Sequence, residues 1–127
     1  MTIAAWCILI AGLLPVFTVA VAKWGRRDFD NAEPRAWMND LTGLRRRADY
    51  AHRNHFEALP LFAAGVLVAQ QFDAPQGVVD AVALAFIACR LVYTALYLGN
   101  QPSARSAVWS LGLLCNIALF ALTAFYS

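Results

Sequence analysis

Long uncharged stretches constrain the fold of this chain more than any other feature. Residues 1–22 and 106–127 carry no charged side chain, and residues 78–98 carry only Asp80 at one edge and Arg90 inside. A membrane-spanning helix needs about 20 residues at 1.5 Å each to cross the hydrocarbon core. A fourth uncharged stretch, 58–72, is shorter. It reaches that length only when it is extended by the polar turn before it, residues 50–57, and that turn lies among the lipid headgroups. The pattern predicts four spans, at approximately 2–22, 54–72, 78–98 and 106–126.

Composition supports a membrane protein. Hydrophobic residues make up 61% of the chain and charged residues 14%, against roughly 45–50% and about 25% in soluble domains. A water-soluble protein of 127 residues cannot bury that much apolar surface. A soluble helical bundle would also need polar stripes at the helical period, and 106–127 has none. We therefore expect one domain, 1–127, folded as an all-α integral membrane bundle of four helices.

The distribution of positive charge predicts the topology. Eight of the ten Lys and Arg residues lie between the first and second predicted spans, and Arg105 lies between the third and fourth. The connection from Asp73 to Gly77 has none. Because positive connections stay in the cytoplasm, both termini are expected on the other side. No charge precedes Lys23, so the first stretch is interpreted as a retained helix and not as a cleaved signal peptide.

The second predicted helix has a polar turn at its entrance to the membrane. Arg53 and Glu57 are four residues apart, and Tyr50, Asn54 and Glu57 share one stripe of a helix. Polar groups at this depth need partners or a polar cavity. Either they bind a ligand, or they form a salt bridge that only fixes helix register. His52 and His55 alone give no metal-binding pattern, so no metal is expected.

The third and fourth predicted helices carry matching polar residues. Arg90, Tyr93 and Tyr97 form one stripe of the third helix, and Glu57 is the expected partner of Arg90. The segment GNQPSARS predicts a turn, with Arg105 and Ser106 opening the fourth helix as a site for an anion. These groups converge on the cytoplasmic mouth of the bundle. Acidic residues interleave with the basic ones before the second span, so a nucleic-acid partner is not expected.

Three motifs in order resemble the membrane-associated proteins in eicosanoid and glutathione metabolism, the MAPEG family. Ala51 to Phe62, AHRNHFEALPLF, is similar to the family's second-helix signature. Cys89 to Gly99, CRLVYTALYLG, is similar to its third helix, and Ala104 to Ser106 matches the start of its fourth. The resemblance covers nearly the whole chain and is closest, among mammalian members, to the microsomal prostaglandin E synthase branch.

The resemblance implies a homotrimer that holds glutathione as a cosubstrate between subunits, near the cytoplasmic face. The resemblance also implies that Arg105 stabilises the glutathione thiolate and that Ser106 lies beside it. The implied ligand contacts come from Lys23, Arg53, Asn54, Glu57, Arg90, Tyr93 and Tyr97. One position departs from the family pattern: relatives commonly have an arginine that binds a glutathione carboxylate where this chain has Tyr50, and Arg47 is a possible replacement.

Two functions of different classes follow. The first is a glutathione-dependent transferase or peroxidase that acts on lipophilic small molecules arriving from membrane lipid. The second is a non-catalytic member of the same fold that binds lipid or a partner in the same cleft. Arg105 and the third-helix stripe favour the enzyme, and Tyr50 favours the alternative.

Overall fold

The computed structural model describes residues 1–126, which form five helices and, within that range, no strand. The helices are α1 (Ile3–Lys23), α2 (Pro34–Asn39), α3 (Gly43–Gln71), α4 (Gln76–Leu98) and α5 (Pro102–Tyr126). Three of them, α1, α4 and α5, are long and apolar enough to cross a membrane. The prediction of an all-α membrane protein is therefore confirmed, whereas α3 does not reach the hydropathy of a span and the count of four spans stays a prediction.

Helix α3 is the central element, because it contacts α1, α2, α4 and α5. It has 29 residues, about 43 Å at 1.5 Å per residue. It begins at Gly43, whose φ of +59° favours glycine. All of its charged residues lie between Arg45 and Glu57, and the predicted stretch 54–72 is only its later part. The helix thus extends beyond the apolar layer at its N-terminal end.

The later half of α3 packs closely against α4 and α5. The ring of Phe62 stacks on Phe86 with centroids 4.1 Å apart. A Cβ added at Gly65 would lie 3.2 Å from side-chain atoms of Leu119. Small residues at such contacts let helices approach in a membrane, where packing drives association. These contacts fix the depth at which α3, α4 and α5 face one another.

At one end of the bundle, Asp80 joins α1 to α4. Its carboxylate accepts hydrogen bonds from the backbone N–H of Ala4 at 2.9 Å and from Nε2 of Gln76 at 2.7 Å. Nearby, the Thr2 hydroxyl donates to Oε1 of Gln70 at 3.2 Å. A carboxylate at a helix N-terminus is favourable because the free N–H groups and the helix dipole both attract it. The acidic residue at the edge of the third apolar stretch is therefore fully accommodated.

The opposite end, where α1 and α4 finish and α5 begins, is called here the polar end. Arg45 on α3 donates to the carbonyl of Ala22 at 3.0 Å, and Arg47 donates to the carbonyl of Leu98 at 3.2 and 3.3 Å. Both carbonyls lie in the last turn of a helix, where backbone acceptors lack intrahelical partners. The charged first half of α3 therefore ties α1 and α4 together.

The connection between α1 and α3 is folded. Phe29 and Trp37 meet edge to face with centroids 5.0 Å apart, and Nζ of Lys23 lies 4.1 Å from the Phe29 centroid. Arg26 pairs with Asp28 at 2.6 Å. Hydrogen bonds from Arg26 lower the pKa of the Asp28 carboxyl to about 2. The segment is thus an ordered layer over the polar end.

Candidate functional site

Helix α5 begins earlier than the sequence indicates. The predicted turn at Pro102 is the first residue of the helix, a position that suits proline because its φ is fixed and no N–H is needed there. The backbone N–H of Arg105 already donates to the carbonyl of Gln101 at 2.9 Å. The prediction that Arg105 and Ser106 form the helix N-terminus is therefore wrong. What these two residues can offer to an anion is therefore their side chains.

Arg105 lies in an open cleft between α4 and α5 at the polar end, called here the arginine cleft. Its volume is about 430 Å³, and it is lined by Tyr93, Tyr97, Arg105, Ser106, Trp109 and Ser110. Cζ of Arg105 lies 4.1 Å from the ring centroid of Tyr97. Residues 1–126 contain two ion pairs within 4.0 Å, and neither involves Arg105. A positive charge without a carboxylate partner in this part of the chain is available to an anionic ligand.

A second space, the inner cavity, lies between α3, α4 and α5 and has a volume of about 120 Å³. Its polar wall is formed by Asn54, Glu57, Arg90 and Tyr93. The remainder of its lining is mostly apolar and includes Leu61, Phe86, Val108, Trp109 and Leu113. Tyr93 and Trp109 line both spaces, so the arginine cleft and the inner cavity are adjacent. Four of the predicted site residues therefore lie together here, and Tyr97, Arg105 and Ser106 lie next to them.

Arg90 is held by a histidine and not by the predicted carboxylate. Its Nε and Nη2 atoms donate to Nδ1 of His55 at 3.2 and 2.9 Å, and both residues are 3% exposed. The Thr94 hydroxyl donates to the Arg90 carbonyl at 2.8 Å, so Nε2–H of His55 donates to the Thr94 oxygen at 2.9 Å. Glu57 lines the same cavity but lies beyond 4.0 Å from any cationic nitrogen in residues 1–126. The predicted Arg90–Glu57 ion pair is therefore absent from this part of the chain.

The polar turn of α3 divides into two groups that face different ways. Arg53 pairs with Asp49 at 3.0 Å and donates to Asn39 at 3.2 Å, so it is not the partner of Glu57 either. Nδ2 of Asn54 donates to Glu57 at 3.3 Å, while the buried Oδ1 of Asn54 has no hydrogen-bond partner among residues 1–126. An unsatisfied acceptor and an unpaired carboxylate on the wall of the inner cavity suit a ligand that donates hydrogen bonds.

Lys23 and Arg53 line neither the arginine cleft nor the inner cavity. Lys23 borders a separate depression with Arg35 and His52, next to α2. The structure of one chain thus brings together Asn54, Glu57, Arg90, Tyr93, Tyr97, Arg105 and Ser106, and leaves the other two predicted ligand residues on another side.

The two histidines serve different helix contacts. Nδ1 of His52 lies 2.8 Å from the carbonyl of Pro15 on α1, whereas His55 faces α4. Among residues 1–126, no three His, Cys, Asp or Glu side chains are grouped so that they would hold a metal ion.

Sequence reasoning missed several residues of this region. Trp109 follows Arg105 by four residues and Ser110 follows Ser106 by four, so helical spacing was a usable signal for both. The hydroxyl of Ser110 donates to the carbonyl of Ser106 at 3.0 Å. Asn116 was visible as the only carboxamide in the uncharged fourth stretch. No sequence signal identifies His55 as the partner of Arg90.

Fold and site together define a class of protein: a multi-pass helical membrane protein with a cationic, aromatic cleft where its helices leave the apolar layer. The MAPEG family model matches residues 3–125, and the chain belongs to the MAPEG family. That family includes glutathione transferases and peroxidases as well as non-catalytic members. Comparisons with curated proteins and with solved structures gave no match.

Proposed function

We propose that the protein is a membrane-embedded, glutathione-dependent transferase or peroxidase that acts on lipophilic electrophiles. The observation that carries this proposal is the placement of Arg105 over Tyr97, in a cleft that also exposes Ser106 and to which residues 1–126 contribute no carboxylate. An arrangement of fixed positive charge, hydroxyl donor and aromatic wall is suited to a sulfur anion at the membrane surface.

Arg105 and Ser106 are the proposed catalytic residues. A free thiol has a pKa near 8.5, and only the thiolate is the nucleophile. A fixed guanidinium beside the sulfur favours the anion, and each unit of pKa depression corresponds to about 1.4 kcal/mol. The Ser106 hydroxyl adds a hydrogen-bond donor for the same charge. In the transferase case the thiolate attacks the electrophilic carbon, an S–C bond forms and the leaving group departs as an anion. In the peroxidase case the thiolate attacks a peroxide oxygen, the O–O bond breaks and the alcohol leaves with a proton from water; a second glutathione then reduces the resulting sulfenic acid, giving glutathione disulfide and water.

The remaining residues of the two spaces are proposed to bind the tripeptide. Glu57 and the free Oδ1 of Asn54 are acceptors suited to its ammonium and amide donors. Tyr93 and Tyr97 offer hydroxyl donors on the α4 side, and Arg90, fixed by His55, contributes positive charge at the polar wall. The mixed charge of glutathione matches this set of one carboxylate and two arginines.

The lipophilic substrate is proposed to come from the bilayer. The inner cavity continues from the polar wall to an apolar interior, and half-exposed Leu61 and Trp109 lie on its lining. A reaction between a water-soluble thiol and a lipid-soluble electrophile requires a site that contacts both solvents. The boundary between the arginine cleft and the inner cavity meets that requirement.

We propose a homotrimeric assembly, in which Lys23 and Arg53 act on the cleft of a neighbouring subunit. Neither residue lines the two spaces of its own chain, although the resemblance assigns both to ligand binding. Apolar side chains are widely exposed on α1, α4 and α5, as expected for surfaces that meet lipid or other copies.

The proposed topology has four spans, with α3 as the additional one, both termini non-cytoplasmic and the polar end in the cytoplasm. It is supported by the positive charges gathered at that end. Reporter tags at the two termini test it, and a cytoplasmic C-terminus would contradict it.

A non-catalytic role in binding lipid or a partner is the second candidate, and Tyr50 favours it. Tyr50 stands where relatives commonly have a carboxylate-binding arginine, is 41% exposed and packs under Arg46 at 5.7 Å. Arg47 does not replace that arginine within one chain, because it is bound to the carbonyl of Leu98.

Two measurements on the purified protein in lipid nanodiscs decide between the candidates. Glutathione binding is measured first, with ophthalmic acid, which lacks the thiol, as a matched ligand. Turnover is then measured with an aryl halide and with a lipid hydroperoxide. Binding together with turnover of either substrate supports the enzyme, whereas absence of both supports the non-catalytic role.

A further inference from the structure

Asn116 is a buried polar residue that the proposed function does not use. It lies near the middle of α5 and is 3% exposed. Its Oδ1 atom is buried and has no hydrogen-bond partner in the described part of the chain. Leaving such an acceptor unsatisfied costs about 1–3 kcal/mol, and α5 offers no water where it crosses hydrocarbon. A leucine at this position would avoid that cost, so the presence of an amide here indicates a function.

The position of Asn116 connects it to the inner cavity. It lines that space from α5, on the same wall as Gly112 and Leu113, while Phe86 and Leu61 face it from the neighbouring helices. The other unsatisfied acceptor of this cavity, Oδ1 of Asn54, belongs to the polar wall. The inner cavity therefore has one free acceptor near the polar end and a second one deeper among apolar side chains.

The size of the cavity limits what Asn116 can contact. A volume of about 120 Å³ is below the roughly 300–1,000 Å³ of pockets that enclose a whole drug-sized ligand. It is large enough for the end of an aliphatic chain. Asn116 lies about 16 Å from Arg105 along the axis of α5, at 1.5 Å per residue. A group bound at Asn116 is therefore remote from the proposed thiolate.

We propose that Asn116 is a specificity-determining residue that accepts a hydrogen bond from a hydroxyl on the chain of a lipophilic ligand. The ligand is an aliphatic molecule with a hydroxyl at its buried end. Binding of this ligand at Asn116 needs no glutathione and is independent of the proposed function. Only the further step, that the ligand is the electrophilic substrate of the enzyme, rests on the proposed function. The free acceptor would then select hydroxylated lipids over plain hydrocarbon chains.

The test compares ω-bromodecanol with its methyl ether, which lacks the donor but keeps the chain. The protein is held in nanodiscs without glutathione, and binding is measured as quenching of tryptophan fluorescence by the bromine of the probe. The part of the fluorescence that comes from Trp109 is obtained by subtracting the fluorescence of the Trp109→Phe variant. The alcohol and the ether partition differently into lipid, so the alcohol-to-ether affinity ratio is compared between two proteins in the same membrane. This ratio is expected to be about tenfold higher in wild type than in Asn116→Leu, which lacks the acceptor.

Ile117→Leu is the matched control, because Ile117 is 52% exposed and is not on the cavity lining, and it is expected to keep the preference. An alcohol-to-ether affinity ratio that is the same in wild type and Asn116→Leu would overturn the proposal. Asn116→Ala provides a second substitution if the leucine variant does not fold. A hydroxyl preference without any glutathione turnover would reject the proposed enzyme and leave this binding site intact.

Discussion

The guanidinium of Arg105 on α5 lies over the ring of Tyr97 on α4, with Cζ 4.1 Å from the centroid. Tyr97 in turn meets Tyr93 edge to face at 5.6 Å. Because α4 and α5 run antiparallel through a short connection, the last turn of one faces the first turn of the other. The guanidinium of Arg105, which is proposed to stabilise the thiolate, is therefore positioned by α4, the helix that carries Tyr93 and Tyr97.

Tyr97 is expected to act through its aromatic face as well as its hydroxyl. A cation–π contact of this kind contributes about 1 kcal/mol, so Tyr97→Leu should lower turnover with an aryl halide roughly fivefold. Tyr97→Phe keeps the ring and should retain more of the activity. Equal losses in the two variants would show that the hydroxyl, and not the ring, is what matters.

His55 is expected to stabilise the fold by accepting hydrogen bonds from buried Arg90. His55→Leu leaves the guanidinium without this acceptor and should lower the free energy of unfolding by about 2–3 kcal/mol. Thr94→Val removes only the partner of Nε2 and should cost about 1 kcal/mol. Unfolding midpoints in detergent measure both effects. A larger loss in Glu57→Gln than in His55→Leu would mean that Glu57 holds Arg90 after all.

Glu57 is expected to serve the ligand more than the fold. It is exposed and forms no ion pair within residues 1–126, so Glu57→Gln should change the unfolding midpoint little. Losing a charge-assisted hydrogen bond to a ligand ammonium should weaken glutathione binding by about 1.5–3 kcal/mol, or roughly tenfold to a hundredfold. A variant that folds poorly while its folded fraction binds glutathione normally would support a role in helix register instead.

The assembly is expected to be a homotrimer. Mass measurement of the protein in mild detergent should give three chains, and removal of Lys23 by Lys23→Ala should weaken glutathione binding without altering that mass. The same substitution would have no effect on binding if the cleft of each chain is complete by itself. A monomer or a dimer would contradict the trimer directly.

The apolar stretches of the sequence were sufficient to predict α1, α4, α5 and the later part of α3, because a run of uncharged residues of this length has few other stable solutions. The short helix α2 lies in the charged connection and was not predicted. Side-chain partners across helices were not predictable in the same way. Whether Arg90 meets Glu57 or His55 depends on the rotation of α3, and these two residues lie half a turn apart on it.

The start of α5 shows a different limit. Pro102 and Ser103 are typical of a turn, yet proline is equally suited to the first position of a helix, so the pattern alone does not distinguish the two. Asn116 was visible in the sequence, but its unsatisfied oxygen becomes meaningful only when Phe86 and Leu61 are seen to enclose the same cavity.

The most direct test of the proposed function is the pKa of the glutathione thiol when bound to the protein. It is measured from the ultraviolet absorbance of the thiolate as pH is varied, in wild type, Ser106→Ala and Arg105→Ala. We expect a thiol pKa lowered by about one to two units in the wild type, with a smaller depression in Ser106→Ala. Arg105→Ala should bind glutathione with a thiol pKa near that of free solution and lose most turnover. An identical thiol pKa in wild type and Arg105→Ala would contradict the role assigned to Arg105.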